Sequence, residues 1–407
     1  MIPNECPGIT VLKNGSITSA QGFRAAGIAA GIKKSRGKDF TLVVSDVPAE
    51  VAAVFTVNQV KAAPVKVSIE HAKSGRARAI VANSGCANAC TGIPGLRDAK
   101  ETTELVAKEL GCKGKDVLVC STGRIGTLLP MPAMRRGIKK AVEKLDPKGG
   151  LKAAEAIMTT DTFAKSFAVR IEVDGKPVTV GGIAKGAGMI HPDMATMLCF
   201  VTTDANIDRA ALRSCVDEGV GRSFNSISVD GDTSTNDTVI VLANGQAGNA
   251  VLTRNHPGLP LFRRALRAVM RHLARLIVQD GEGISKVVEV IVKGAASSRD
   301  AKLAAQAVGK STLVKCSWCG EDPNWGRLMD ALGYSKAKVR EELVEIFYNG
   351  LQAVVNGQRS KVPESRIRKI VTKPEFTLTI HLHLGQGEYS FLTTDLTEEY
   401  VTLNKGE

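Results

Sequence analysis

A β-hairpin signal near residue 175 is the feature that most constrains the fold. Asp174 and Gly175 separate two runs rich in β-branched residues, and an Asp-Gly pair in that setting favours a tight two-residue turn. The second run continues into residues 181–188, where four of the eight positions are glycine. Glycine at that density indicates a backbone that bends sharply or is closely approached by another group. We therefore expect an antiparallel sheet edge that leads into a tightly packed segment.

Short apolar runs alternate with helical patterns along the chain, which predicts a mixed α/β fold. Four strands are expected in the first part: Phe40–Val47, Ala53–Asn58, Ala77–Asn83 and Val117–Cys120. Beyond Glu282 the pattern predicts a strand, a helix, a turn, a second helix and a late hairpin, in this order: Val287–Val292, Ala301–Val308, Asn324–Arg327, Glu341–Tyr348 and Phe376–Leu384.

Length and composition describe a globular protein of more than one unit. The chain has 407 residues, 43% hydrophobic and 23% charged, and domains of roughly 100 to 200 residues would divide it into two or three. No segment approaches the ~18 continuous apolar residues of a membrane-spanning helix, and the amino terminus carries no leader pattern. We expect a cytoplasmic protein with no membrane partner.

The basic charge of the chain raises the question of nucleic-acid binding. There are 54 basic and 41 acidic residues, and the densest basic stretch is Leu261–Val278. Its apolar residues recur at helical spacing with arginines between them, which predicts an amphipathic helix with a solvated basic face. Four tyrosines and two tryptophans offer little for base stacking. We expect no nucleic-acid partner, and a basic binding protein without catalysis is kept only as a remote alternative.

Cysteine and histidine spacing does not indicate a metal site. The nine cysteines are odd in number and scattered, so reduced thiols are expected. Cys316 and Cys319 have no second pair to complete four zinc ligands. His381 and His383 alternate with apolar residues on one strand face, which favours a polar sheet surface.

Familiar catalytic signatures are missing, but one long segment is distinctive. No nucleophile elbow, phosphate-binding loop, zinc-protease or dinucleotide-binding pattern occurs. Residues 185–200, KGAGMIHPDMATMLCF, read by themselves as a glycine-rich turn entering a buried strand. They also resemble the self-cleavage motif of the ornithine acetyltransferase family of arginine biosynthesis. Six further blocks resemble that family in the same order: Asn83–Gly92, Ser121–Gly126, Thr159–Thr162, Asp280–Gly283, Asp322–Arg327 and Asp395–Thr397.

The resemblance implies a chain that cuts itself between Ala195 and Thr196. Residues 1–195 would become an α chain and residues 196–407 a β chain that begins at the nucleophile. The implied fold is an αββα-type sandwich, as in the ornithine acetyltransferases and related aminopeptidases, with a smaller C-terminal α/β domain from about residue 285 to 407. Two α and two β chains would assemble into a heterotetramer.

The resemblance also implies a role for particular residues. Thr196 would be the nucleophile, with Thr122 and Gly123 as the oxyanion donors. Substrate contacts would fall on Thr159, Lys185, Thr196, Glu282 and Asn404. Lys185 suits a carboxylate and Glu282 a cationic side chain. The Ser or Thr that usually follows the position of Asn404 has no counterpart, since the sequence stops at Glu407.

The implied reaction moves acetyl from N2-acetylornithine to glutamate through an acetyl-threonine ester, without metal or cofactor. Whether acetyl-CoA also serves as a donor stays open, because family members with one or both activities share these motifs. A self-processing amidase or aminopeptidase, which would pass the acyl group to water, is the nearest alternative.

Overall fold

The computed structural model describes residues 7–191 and 197–405, and these form two compact units. The first unit takes the described residues of Met1–Gly186, Asp193–Asn225 and Asp232–Ile277. The second takes those of Ala187–Pro192, Ser226–Gly231 and Val278–Glu407. Each unit has its own β-sheet with helices packed on it, so the prediction of a mixed α/β fold is confirmed. Among the helices of these ranges, none is long and apolar enough to cross a membrane.

One nine-stranded sheet organises the first unit. Its strands are β1 (Thr10–Val11), β2 (Phe23–Ile28), β3 (Phe40–Phe55), β4 (Arg76–Cys86), β5 (Val117–Arg124), β6 (Lys165–Val173), β7 (Lys176–Lys185), β8 (Leu198–Thr203) and β9 (Thr238–Ala243). The order across the sheet is β1-β6-β7-β8-β9-β3-β4-β5, and β2 pairs with β3.

Strand β3 belongs to both halves of this sheet. Its first part pairs with β2 and β4, its register with β4 breaks between Val44 and Ala49, and Glu50–Phe55 pairs with β9. The sequence predicted two separate strands here, Phe40–Val47 and Ala53–Asn58. That division is wrong, because Pro48 lies at the register break and the chain continues through it as one strand.

The two halves of the sheet share one apolar core. Ile80 and Leu118 from one half are in the same buried cluster as Ile183, Phe200 and Ile240 from the other. The sequence neighbours of Ile80 and Leu118 point the opposite way, as the period of two requires, and pack against helices in a second cluster. This half of the sheet therefore has the shared core on one face and a layer of helices on the other.

Six helices of the first unit complete these layers: α1 (Ala63–Ala72), α2 (Gly92–Leu110), α3 (Met131–Glu143), α4 (Gly150–Ile157), α5 (Arg209–Gly221) and α6 (Leu259–Gln279). The prediction of an amphipathic helix over Leu261–Val278 is confirmed. Phe262, Leu266 and Leu273 are fully buried, whereas the arginines between them are exposed or half-buried. Arg263 and Arg267 both form ion pairs with Glu218.

The hairpin predicted around residue 175 joins β6 to β7. Val173 pairs with Lys176, and Asp174 and Gly175 have φ angles of 52° and 69°, as a type I′ turn needs. The glycines that follow allow close packing. A Cβ on Gly181 would lie 2.1 Å from the Ser16 carbonyl oxygen, and one on Gly182 would lie 3.0 Å from the Leu273 side chain of α6.

The second unit has a six-stranded sheet with the order β13-β12-β11-β14-β10-β15. Its strands are β10 (Val287–Ala295), β11 (Glu345–Tyr348), β12 (Leu351–Val355), β13 (Gln358–Arg359), β14 (Glu375–His381) and β15 (Gly387–Thr394). Its helices are α7 (Ser298–Lys310), α8 (Thr312–Cys319), α9 (Trp325–Gly333), α10 (Glu364–Val371) and α11 (Glu398–Leu403). Trp318, Tyr348 and Phe391 are fully buried in its core. The turn predicted at Asn324–Arg327 is the start of α9, which Asn324 caps.

The helix predicted at Glu341–Tyr348 is wrong. Glu341–Leu343 is a single 3₁₀ turn, and Glu345–Tyr348 is strand β11. Ile346 and Tyr348 are buried while the residues between are half-buried, which is the alternation of a strand. Asn349 and Gly350, with φ of 44° and 83°, form the turn to β12. This Asn-Gly pair is a hairpin signal that the helix prediction overlooked.

The late hairpin is also wrong in its pairing. Strands β14 and β15 do not pair with each other, because β10 lies between them, parallel to β14 and antiparallel to β15. His381 and His383 do share a region of surface, with ring centroids 3.8 Å apart, and His383 Nε2 lies 2.7 Å from Glu345 Oε2. No group of three or more His, Cys, Asp or Glu suited to a metal occurs within 7–191 and 197–405, and the eight cysteines there are free.

Gly27 offers a test of packing between β2 and α4. A Cβ at Gly27 would lie 1.7 Å from the Lys152 carbonyl oxygen, so Gly27→Ala must displace helix backbone. We expect the free energy of unfolding to fall by about 1–3 kcal/mol. Urea unfolding followed by far-ultraviolet circular dichroism measures this. Gly37→Ala, whose nearest neighbour would be 3.8 Å away, is the control. Equal midpoints for the two variants would contradict the packing.

Candidate active site

The predicted nucleophile lies outside the described residues. Ala195 and Thr196 precede Met197, where the description of the chain resumes. Both backbone groups of Met197 are held: its N–H donates to Asp237 Oδ1 at 3.0 Å, and its carbonyl accepts from Thr238 N–H at 3.1 Å. The residue directly after Thr196 in sequence is thus fixed just before β8.

Lys185 lies at the same end of the sheet. It is the last residue of β7, and its register partner is Leu198, the first residue of β8. Its side chain is only 3% exposed. The antiparallel pairing therefore places a buried ammonium group beside a strand that begins two residues after Thr196.

A buried carboxylate, Asp161, connects two of the predicted substrate residues. Its Oδ2 accepts from the Thr159 N–H at 2.9 Å, and its Oδ1 accepts from the Gly186 N–H and from Lys165 Nζ, each at 2.7 Å. Lys185 Nζ is 4.0 Å from Oδ2. The side chains of Asp161 and Lys165 are fully buried. The Asp161 carboxylate thus accepts hydrogen bonds from the backbone of Thr159 and from Gly186, the residue that follows Lys185.

Three lysines and two carboxylates interact in this region, and we refer to Lys33, Asp39, Asp161, Lys165 and Lys185 as the lysine cluster. Burial alone raises the pKa of Asp161, but the ammonium groups of Lys185 and Lys165 outweigh it and lower that pKa to about 2. Burial lowers the pKa of Lys33, while the charges of Asp39 and Asp161 oppose that shift. Lys185 thus adds a buried ammonium group to a site in which the Asp161 carboxylate also interacts with Lys165.

The predicted oxyanion donors lie at the end of β5. The strand continues to Arg124, beyond the predicted end at Cys120, and Thr122 is 5% exposed. Gly123 has a φ of 127°, and a Cβ there would lie 2.4 Å from the carbonyl carbon of Gly85. Only glycine fits this close approach of two backbones. The pairing with β4 is irregular at Cys86, as is common beside active sites.

In the second unit the structure brings Glu282 and Asn404 together. Asn404 Nδ2 donates to Glu282 Oε2 at 3.1 Å, and the Glu282 N–H donates to the Ala187 carbonyl at 3.0 Å. A Cβ on Gly188 would lie 2.5 Å from Glu282 Oε2, so the glycine makes room for that carboxylate. Thr122, Gly123, Thr159 and Lys185 belong to the first unit.

Sequence reasoning missed Asp161 and Lys165. Both lie in or just after the Thr159–Thr162 block, which was recognised only for its threonines. An acidic and a basic residue four apart, ahead of a strand, usually form an ordinary surface pair. The one sequence signal was that the chain from Phe163 to Ala168 is otherwise apolar, apart from Ser166.

Removing the charge of Asp161 tests the lysine cluster. Asp161→Asn leaves the buried Lys165 ammonium without its carboxylate, so we expect a loss of about 3–5 kcal/mol of stability at pH 7. In the unmodified protein the contribution of Asp161 is present above the unfolded pKa of ~3.9 and is lost as the pH falls towards about 2. The variant has no such contribution to lose.

Melting temperatures measured from pH 7 to pH 2 check this prediction. The gap between wild type and Asp161→Asn should narrow in acid. Glu70→Gln removes a carboxylate from an exposed pair with Lys73 and is the matched control. A constant gap across the pH range would rule out the charge interaction as its cause.

Comparison with known proteins supports the resemblance to the ornithine acetyltransferase family. The sequence matches the ArgJ family over residues 24–406. It is 49% identical to the arginine biosynthesis bifunctional protein ArgJ of Symbiobacterium thermophilum over 392 residues, which is 96% of this chain and 98% of the relative. The ArgJ protein of Geobacter sulfurreducens is also 49% identical, over 95% of this chain and 98% of its own length.

Solved structures include an ornithine acetyltransferase complexed with ornithine from Mycobacterium tuberculosis. It is 44% identical, with a TM-score of 0.42, over 45% of this chain and 98% of that one. The resemblance stated from the motifs is confirmed by the match along nearly the whole sequence. This chain is therefore an enzyme of the ArgJ family.

Proposed function

We propose that this enzyme transfers an acetyl group from N2-acetylornithine to glutamate through an ester on Thr196. The observation that carries the proposal is the register of β7 with β8, in which Lys185 pairs with Leu198. The buried ammonium group of Lys185 therefore lies beside the strand that follows Thr196. Acetylated amino acids carry a carboxylate, and Lys185 can bind it by a charge-assisted hydrogen bond.

Self-cleavage would come first. The Thr196 Oγ attacks the Ala195 carbonyl carbon, the peptide C–N bond breaks as its nitrogen gains a proton, and the acyl group moves onto oxygen as an ester. Water then hydrolyses the ester and separates residues 1–195 from 196–407. The new α-amino group has an ordinary pKa of ~7.7–8.0, so near neutral pH part of it is free to accept the hydroxyl proton.

Acetyl transfer then repeats this chemistry with substrate. The Thr196 Oγ attacks the acetyl carbonyl of N2-acetylornithine, and the ornithine nitrogen leaves with the proton that the Thr196 amine took from the hydroxyl. The neutral amine of glutamate attacks the ester, which yields N-acetylglutamate and restores the threonine. Each attack creates an oxyanion for Thr122 and Gly123 to stabilise, and loss of one such donor typically costs ~10²–10³ in rate.

The remaining assignments complete the proposal. Glu282, next to Asn404, suits the cationic side chain of ornithine, and Thr159 is held close to Lys185 through Asp161. The reaction as written balances without a metal or cofactor, and acetyl-CoA is proposed as a second acetyl donor for glutamate. We also propose a cytoplasmic heterotetramer of two α and two β chains.

Replacement of the nucleophile tests both steps. Purified wild-type protein should run as two chains, and amino-terminal sequencing of the one that holds residues 196–407 should begin at Thr196. Thr196→Ala removes the attacking oxygen, so it should stay one chain and take up no labelled acetyl from N2-acetylornithine. A wild type that stays intact, or an acetyl label on another residue, would contradict the assignment. Release of free acetate instead of N-acetylglutamate would favour a hydrolase.

Lys185→Met tests the carboxylate contact. Loss of a charge-assisted hydrogen bond of about 1.5–3 kcal/mol should lower kcat/KM for N2-acetylornithine by roughly 10- to 100-fold. Steady-state kinetics of acetyl exchange measure this, and the melting temperature reports on folding. Lys73→Met, at an exposed lysine paired with Glu70, is the control. An unchanged kcat/KM in Lys185→Met would place the carboxylate elsewhere.

A further inference from the structure

A buried segment just before β9 forms hydrogen bonds both with the strand end that carries the predicted oxyanion donors and with the residue that follows the predicted nucleophile. None of the sequence motifs includes residues 233–237, yet Ser234, Asn236 and Asp237 are 3%, 5% and 0% exposed. Thr56 anchors the segment twice: its hydroxyl donates to the Ser234 carbonyl at 2.7 Å, and its N–H donates to the Asp237 carbonyl at 3.0 Å. The segment is thus fixed to the end of β3.

Asn236 holds the strand end that carries the predicted oxyanion donors. Its Nδ2 donates to the carbonyls of Ser121 and Ala87, at 2.8 and 2.7 Å, and its Oδ1 accepts from the Thr235 hydroxyl at 2.6 Å. The Ser121 carbonyl belongs to the planar peptide that leads into Thr122. Asn236 therefore fixes the plane from which Thr122 and Gly123 project.

Asp237 holds the backbone just before β8, next to the predicted nucleophile in sequence. Its Oδ1 accepts from the Met197 N–H at 3.0 Å, directly after Thr196 in sequence. Its Oδ2 is buried and has no hydrogen-bond partner within the described ranges. Burial raises the pKa of Asp237 well above its usual range, although hydrogen bonds from Met197 and Ser234 and the charge of Lys185 oppose this. An asparagine has the same shape as this side chain and keeps an oxygen acceptor for the Met197 N–H.

We propose that Asn236 and Asp237 are positioning residues that set the spacing between the nucleophile and the oxyanion donors. The inference rests on the proposed function. Two consecutive residues are ~3.8 Å apart at Cα, so one short rigid link holds the Ser121 peptide on one side and Met197 on the other. Attack on a carbonyl needs both groups in place, and a misplacement of about 1 Å can cost ~10² in rate.

Kinetics of four variants test the proposal. Asp237→Ala and Asn236→Ala should lower kcat for acetyl exchange by about 100-fold, slow self-cleavage similarly, and leave KM within threefold. Asp237→Asn keeps the acceptor for Met197 and should restore at least a tenth of wild-type kcat with an unaltered pH profile. Asn244→Ala is the matched control, because Asn244 is also a buried asparagine and donates to the Gln21 carbonyl at 2.9 Å.

The outcomes separate the possibilities. Alanine variants with wild-type kcat, or an equal loss in Asn244→Ala at the same melting temperature, overturn the positioning role. An Asp237→Asn variant that folds but loses activity together with one limb of the pH profile overturns it too, because the carboxyl group would then transfer a proton. A wild type that neither splits nor exchanges acetyl overturns the proposed function and this role with it.

Discussion

The candidate site depends on strand β3, which passes through both halves of the first unit's sheet. Its first part pairs with β2 and β4 and its second part with β9. Because the two halves share one core, the end of β5 comes within hydrogen-bonding distance of the segment that starts β9. In a flat sheet the end of β5 and the start of β9 would lie at opposite ends of the strands, because β5 and β9 run in the same direction. The fold therefore brings the end of β5 and Met197 to the same segment, Asn236 and Asp237, by packing the two halves of one sheet over a shared core.

Charge is the second constraint on this region. Lys165 and Lys185 are buried and Lys33 is half-buried, and burial of ammonium groups costs free energy unless carboxylates such as Asp39 and Asp161 accompany them. The Asp161 carboxylate also accepts two backbone hydrogen bonds, so it serves the fold while it holds Thr159 and Gly186 in place. In the proposed function, Lys185 of this cluster binds the carboxylate of the substrate. A site of this kind can be stable as a fold and still attract a carboxylate.

Prediction from sequence succeeded where a signal is local and failed where pairing is not. The Asp174-Gly175 turn and the amphipathic α6 follow from spacing within a few residues, and both are confirmed. Glu341–Tyr348 was predicted as a helix because its apolar residues also fit helical spacing, whereas the sheet neighbour β14 makes it a strand. The insertion of β10 between β14 and β15 has no trace in either strand's own sequence. Asp161 and Asp237 escaped notice because only burial distinguishes them from ordinary surface carboxylates.

The sequence by itself determined the family, the glycine positions and the residues expected to do the chemistry, because each of these is encoded in short contiguous blocks. It also determined the alternation of apolar residues that makes each strand amphipathic or fully buried. Only the tertiary structure decided which blocks meet. The lysine cluster joins residues from 33 to 185, and the link through Asn236 and Asp237 joins residues 121 and 197. Such contacts depend on how strands pair and fold over one core. The free energy of this pairing and packing is distributed over the whole unit and is not encoded in any one segment.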